Sequence, residues 1–523
     1  MNFKLVGKII GRIMILEGIL MILPLIVSII YQETINHIIA FCVPIVFLIV
    51  LGHILQSIKP TRTKLYQKEG FALCALVWIV MTIFGAIPFL ISGDIKNVFN
   101  AMFETMSGFT TTGASILDGV EEFGVTELAK SSLFWRSFTH WIGGMGILVF
   151  ILIFIPESDD GSSLHLLKAE SPGPQVGKIT SKMRVTSRIL YLIYLGMTLL
   201  EVVILLFDPG HTVMIDGQAV TFKLNLFESF LATFGSAGTG GFGFAINSFE
   251  YFTPYVQYVI ATFLVLFGIN FTVYYLILIG KFKEAIKNDE LITYLLIIIS
   301  SIAIIVGSSI HQRIVTLQQV NPAVFEEIFR HSFFQVASII TTTGYSSVNY
   351  ENWQPIAKTV IIILMFCGAM AGSTAGGIKL SRIVIIFKGI KIKLKKLINP
   401  RSVTKVRVDG KILEEETIDD VFTFVSLYAV ILLIVTLVLG FDPSNGQIYN
   451  VSGNYFEHGF LSNFTATLSC LSNIGPGFEV VGPYGSFAIY NNASTLLLTF
   501  VMLIGRLEIL PVLILFHPQT WRK

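Results

Sequence analysis

The 523-residue sequence is poor in charge. Only 13% of it is Asp, Glu, Lys or Arg, against 53% hydrophobic residues, where a soluble protein carries about 25% charge. A chain this long with half the usual charge density cannot clothe itself for water. Disorder is excluded as well, since it needs low hydrophobicity and high charge. The net charge of +2, from 36 basic against 34 acidic residues, gives no reason to expect a nucleic-acid partner. Cysteine is scarce. Cys42, Cys74, Cys367 and Cys470 lie in or beside apolar stretches without CxxC or CxxH spacing, and read as small buried hydrophobes. The nine histidines are scattered without metal-ligand spacing, which speaks against a metalloenzyme, and no catalytic cluster is visible.

What is abundant is long apolar sequence. Segments at about 9–30, 36–57, 71–92, 133–155, 189–207, 255–280, 291–310, 356–388, 421–440 and 494–516 give ten candidate spans, each near the ~20 residues a membrane helix needs. None alternates like a barrel strand. The first follows Lys4, Lys8 and Arg12 and outruns a signal-peptide core of about 7–15 residues, with no small-residue cleavage site after it. It reads as an uncleaved membrane helix. Lys and Arg crowd the loops 58–70, 156–188, 281–290 and 379–417, whereas 93–130 holds only Lys96 and Lys130 and 441–490 holds none. Positive-inside then puts both termini and the basic loops in the cytoplasm, in a multi-pass protein of the cytoplasmic (inner) membrane.

The outer loops each carry a half-length apolar segment ending in a Thr- or Gly-rich turn. The segments open with Phe-Glu, at Glu104, Glu228, Glu326 and Glu457, and the turns place candidate glycines at 113, 240, 344 and 475. Spans three to ten thus read as four repeats of helix, re-entrant half-helix, turn and helix, and repetition outranks any single motif. The chemistry fits a cation. A ring of backbone carbonyls replaces its water shell, glycine lets successive carbonyls face one axis, threonine adds uncharged hydroxyls, and a half-helix points its negative end at the centre. Four such turns on one chain can close a four-fold ring. Gly238-Thr239-Gly240-Gly241-Phe242-Gly243 also fits G-x-G-x-x-G, but no strand precedes it, so no nucleotide site is read there.

At Ser107–Ser115, Phe134–Gly146, Cys367–Lys379 and Gly505–Glu508 the sequence resembles the bacterial Trk-type potassium uptake subunit, within the Trk/Ktr/HKT superfamily, nearly end to end. The resemblance implies an all-α membrane protein: four helix–pore-helix–filter–helix repeats around one pore, plus two extra N-terminal transmembrane helices. The units divide at 1–58, 59–160, 161–282, 283–398 and 399–523. It implies K⁺ as the transported ion with no organic cofactor on this chain, a homodimer, and a cytosolic nucleotide-binding (NAD/ATP) regulatory ring. Carried over residue by residue, it implies a filter of Thr111, Thr112 and Gly113; Gly238, Thr239 and Gly240; Thr342, Thr343 and Gly344; and Asn473, Ile474 and Gly475. Gly238 departs from the pattern, where a hydroxyl-bearing or β-branched residue is more usual, and predicts a softer second turn. One glycine per turn predicts modest selectivity.

Gly368, Gly372, Gly376 and Gly377 interrupt the eighth span, with Ser373, Thr374 and Lys379 among them. Spread over ten residues, they predict an unwound loop rather than a small-residue packing face, and the family has an intramembrane gate there. Arg506, deep in the last span, is a functional candidate because a charge there is expensive; it reads as an electrostatic brake below the filter, against a local pair with Glu508 or a structural contact with backbone carbonyls. Arg136 reads as the partner of an acid such as Glu104. The basic 379–417 stretch suits anionic lipid or a cytosolic partner equally. The function read is gated, channel-like K⁺ uptake; the alternative is a secondary transporter coupling K⁺ to H⁺ or Na⁺, for which the deep spans offer only Glu17, Glu201, Arg506 and Glu508.

Overall fold

The computed structural model describes residues 1–60, 66–117, 128–146, 183–215, 218–245, 247–316, 318–402, 404–451 and 453–521. Much of the basic 156–188 loop and residues 147–155 of the fourth predicted span lie outside the described residues. Among the described residues, six helices are long and apolar enough to cross a membrane: Phe3–Ile30, Ile35–Gln56, Lys68–Ser92, Val185–Leu205, Asp289–Val315 and Glu415–Leu439. At 1.5 Å per residue, even the 21-residue helix reaches the ~30 Å of a bilayer core. Their outer faces leave Val46, Leu296 and Leu437 more than half exposed, as lipid as solvent demands. The interior also holds polar side chains. Ser107, Thr233, Ser338 and Ser469 are completely or almost completely buried, and all lie near the ends of short internal helices.

Those helices are Val98–Phe109, Leu226–Ala237, Pro322–Ile340 and Phe460–Ser472, of 12, 12, 19 and 13 residues, all shorter than the six membrane-length helices. The first three start on an asparagine whose side chain accepts a backbone N–H: Asn97 from Phe99, Asn225 from Glu228 and Asn321 from Val324. This satisfies donors that a helix start leaves open. The Phe-Glu pairs are therefore not the shared start. Glu457 does not lie on a helix at all. It ends a strand, Asn454–Glu457, paired with Ile448–Val451. Two further hairpins, His211–Ile215 with Gln218–Phe222 and Arg407–Val408 with Lys411–Ile412, also stand outside the spans.

Three of the helices that follow the short helices are broken, and the other ends after 15 residues. Lys130–Gly144 ends at Met145 and Gly146. Pro254–Phe267 and Phe271–Leu278 meet at 89°. Pro355–Phe366 gives way to a non-helical run before Leu380–Ile398. Asn492–Arg506 and Leu510–Phe516 are separated by Glu508 and Ile509, both at positive φ. Only the break after Phe366 was expected from its glycines, although Gly143, Gly144 and Gly146 also crowd the end of Lys130–Gly144. The segments 255–280 and 494–516 look continuous by hydropathy, because hydropathy reads solvent preference and not the hydrogen-bond ladder.

Candidate functional site

The four short helices end the same way. Thr111, Thr239, Thr342 and Asn473 follow their ends with φ of 54°, 53°, 53° and 55°. The next N–H reaches back to the last turn: Thr112 to Ser107 O at 2.9 Å, Gly240 to Gly235 O at 2.8 Å, Thr343 to Ser338 O at 2.8 Å and Ile474 to Ser469 O at 3.0 Å. This is the six-to-one bond of a Schellman cap, whose left-handed position is ordinarily glycine. A threonine there is a genuine outlier, held only where surrounding contacts over-determine it.

Two residues further on comes a glycine at positive φ: Gly113 (78°), Gly241 (78°), Gly344 (84°) and Gly475 (106°). In the second turn this is Gly241, so the expected register there is one residue early. Thr239 corresponds to Thr111 and Gly240 to Thr112, while Gly238 matches Thr110. The Thr-Gly pair misled the alignment, because two glycines follow Thr239; aligning the four turns on the left-handed residue corrects it.

The turns close on one another. A Cβ on Gly113 would meet Gly240 O at 1.9 Å, one on Gly241 would meet Thr343 O at 1.7 Å, one on Gly344 would meet Ile474 O at 2.2 Å, and one on Gly475 would meet Thr112 O at 2.9 Å. Each glycine thus backs onto the carbonyl before the glycine of the next turn, and the fourth returns to the first. All four glycines line a cavity of about 260 Å³ that also touches Arg136, Tyr484 and Phe487.

Side chains fix the ring in different ways. Thr110 and Thr112 hydroxyls bond at 2.7 Å, and Thr341 and Thr343 at 2.8 Å. Asn473 donates to Thr112 Oγ1 at 2.9 Å and to Met502 O, and Ser472 bonds Tyr428. The second turn has Gly238 and Gly240 at the corresponding places. There His140 intervenes, a residue sequence reasoning passed over inside a longer motif. Arg136 pairs with Glu104 at 2.5 Å, both almost fully buried, and its guanidinium lies 3.7 Å from the centre of the Phe242 ring. The predicted pair is therefore present, and it ties the first short helix to the second turn.

Residues 367–379 run against this ring, non-helical as the glycines predicted. The loop is zipped at its ends by Gly368 N–H to Ile378 O (2.9 Å) and Leu380 N–H to Ala369 O (3.2 Å). Gly376 N–H donates to Thr342 Oγ1 at 2.6 Å. A Cβ on Gly376 would meet Ser472 O at 2.6 Å, one on Gly377 would meet Thr342 Cγ2, and one on Gly372 would meet Asn270. Ser373 donates to Met370 O, Thr374 to Phe267 O and Lys379 to Ala375 O. Glu290, absent from the sequence reading, accepts Ala371 N–H (2.8 Å) and Ser381 N–H (2.9 Å) and so clamps the loop from outside.

Arg506 donates to Thr111 Oγ1 (3.2 Å), Thr374 O (3.0 Å), Gly144 O (2.9 Å) and Gly143 O. One guanidinium therefore joins the first turn, the loop and the end of Lys130–Gly144. Glu508 is bound instead to Arg382, which stacks over Phe424 at 4.0 Å. Among the described residues Arg506 and Glu508 form no ion pair with each other.

Membrane-length helices around short internal helices, whose ends converge on a ring of backbone oxygens, define a polytopic membrane transport protein. The family model described as a cation transport protein, TrkH, matches residues 37–523. The chain belongs to the TrkH family. It is similar to the "Trk system potassium uptake protein TrkG" of Escherichia coli (29% identical, covering 100% of this chain and 99% of the relative). It is equally similar to TrkH of Salmonella typhimurium (29%, 100% of both). The crystal structure of the potassium transporter TrkH from Vibrio parahaemolyticus superposes with a TM-score of 0.82 at 27% identity, covering 100% of both chains.

Proposed function

We propose that the protein takes up K⁺ across the cytoplasmic membrane through a gated, channel-like pore. The four turns are its selectivity filter, and the chain folds as four repeats around that pore, divided at 59–160, 161–282, 283–398 and 399–523. The observation that carries this is the closed ring, in which each left-handed glycine rests on the carbonyl before the next. Carbonyls held this way replace hydration water, and the negative ends of four short helices add to the attraction. The curated relatives, named as potassium uptake proteins of a Trk system, support K⁺ as the ion.

The filter positions are Thr111–Gly113, Thr239–Gly241, Thr342–Gly344 and Asn473–Gly475. The 367–379 loop is the gate and Arg506 the brake beneath the first turn. The basic residues orient both termini to the cytoplasm, and the chain pairs as a homodimer with a cytosolic nucleotide-binding ring docked on its basic face. Coupling to H⁺ or Na⁺ is the second reading. It is favoured by Glu17, fully buried in the first helix, with neither carboxyl oxygen hydrogen-bonded among the described residues. Purified protein in liposomes separates the two: Rb⁺ tracer enters down its own gradient if the pathway is a pore, and strict dependence on a pH or Na⁺ gradient overturns that reading.

A further inference from the structure

The second turn lacks the side chains that stitch its counterparts, yet its backbone follows the same path. Gly240 lacks the left-handed φ of its neighbour Gly241, so conformation does not require glycine there; Thr112, Thr343 and Ile474 occupy the equivalent position. Space requires it. A Cβ on Gly240 would fall 2.2 Å from His140 Nδ1, 2.3 Å from Cγ and 2.5 Å from Cε1. The imidazole fills the volume that a side chain at 240 would take.

The ring is also bonded on both edges. Phe242 N–H donates to His140 Nε2 at 3.2 Å, and His140 Nδ1 lies 2.8 Å from Gly108 O. A backbone N–H can only donate, so Nε2 must hold a lone pair. A carbonyl can only accept, so Nδ1 must carry the proton. The bonding pattern therefore selects the neutral Nδ1–H tautomer. His140 is completely buried and packs on Phe242, ring centres 4.2 Å apart.

We propose that His140 is a positioning residue for ion selectivity: a side chain supplied in trans to the second turn, holding the Gly240 carbonyl in the ring through Phe242 and tying that turn to the end of the first short helix at Gly108. The proposal rests on reading the ring as the filter.

Two measurements on the full chain in liposomes test it. The first compares K⁺ and Na⁺ permeability in His140→Ala, His140→Gln, Gly240→Thr and the double variant His140→Ala/Gly240→Thr. His140→Ala is expected to lower discrimination about tenfold while Rb⁺ still passes, the scale of one lost buried hydrogen bond. His140→Gln, which keeps an acceptor for Phe242 N–H, recovers most of it. The double variant discriminates better than either single one, because the threonine then has room and stands as Thr112 and Thr343 do. Unchanged discrimination in His140→Ala, or strictly additive losses in the double variant, overturns the proposal. The second is nitrogen NMR of histidine-labelled protein, with His140→Gln assigning the signal. The Nδ1–H tautomer is expected; the Nε2–H tautomer or an imidazolium overturns the strut whatever the fluxes. A wild type that passes K⁺ and Na⁺ alike defeats the filter reading and the selectivity role together, and the tautomer then decides whether the strut exists.

Discussion

The third and second turns reach one backbone conformation by opposite means. The third, Thr341-Thr-Thr-Gly344, stitches itself: Thr341 bonds Thr343, and Thr342 takes the N–H of Gly376 from the loop beneath. The second, Gly238-Thr-Gly-Gly241, has one hydroxyl, and that folds back on the Gly238 carbonyl. Its support comes from outside, through His140. The difference separates two requirements. A positive-φ glycine is demanded by the ring itself, in all four turns. The residues before it need only be held, and a hydroxyl pair or a neighbouring imidazole does this equally.

The first way to break the comparison is at the shared requirement. Gly241→Ser and Gly344→Ser each force a Cβ onto a neighbouring carbonyl in a left-handed conformation that itself costs about 1–2 kcal/mol. Both should cut K⁺-selective uptake roughly a hundredfold in liposome flux assays. Loss in Gly344→Ser with full selectivity in Gly241→Ser would return the register to Gly240. Next, Arg506→Ala removes the tie between Thr111, the loop and the end of Lys130–Gly144; Rb⁺ flux should rise about tenfold, in the range of ordinary coupling energies. A fall in flux would make the guanidinium a structural support rather than a brake. Thr342→Val keeps the shape but leaves Gly376 N–H buried and unpaired. It should shift flux or discrimination about fivefold. Thr239→Val is the smallest, within about twofold, since its hydroxyl serves only its own turn. Equal effects of these two valines would erase the distinction between self-stitched and braced turns.

Much of this was legible in the sequence. Apolar length gave the spans to within a few residues at 35–56 and 68–92, and the glycines from 368 to 377 announced the broken helix. Hydropathy missed the breaks at 268–270 and 507–509, because Ile269 and Ile509 are as apolar as any helical residue and the lost hydrogen bonds leave no mark in composition. The Phe-Glu pairs do not mark the helix starts; three of the four helices start on Asn, at 97, 225 and 321, and the fourth on Gly459. The register of the second turn and the place of His140 depend on which atoms meet across 102 residues of chain. Local pattern cannot supply that.

The left-handed residues carry one more consequence. Glycine would fit those positions without strain, but Thr111 and Thr342 use their hydroxyls to hold Arg506 and Gly376. On the proposed reading, residues of the filter are therefore also contacts of the gate. Whatever factor an open loop changes the ring's affinity for an ion, that ion changes the loop's opening equilibrium by the same factor. The permeant ion is then its own effector, and replacing K⁺ with Na⁺ alters the open probability as well as the current carried.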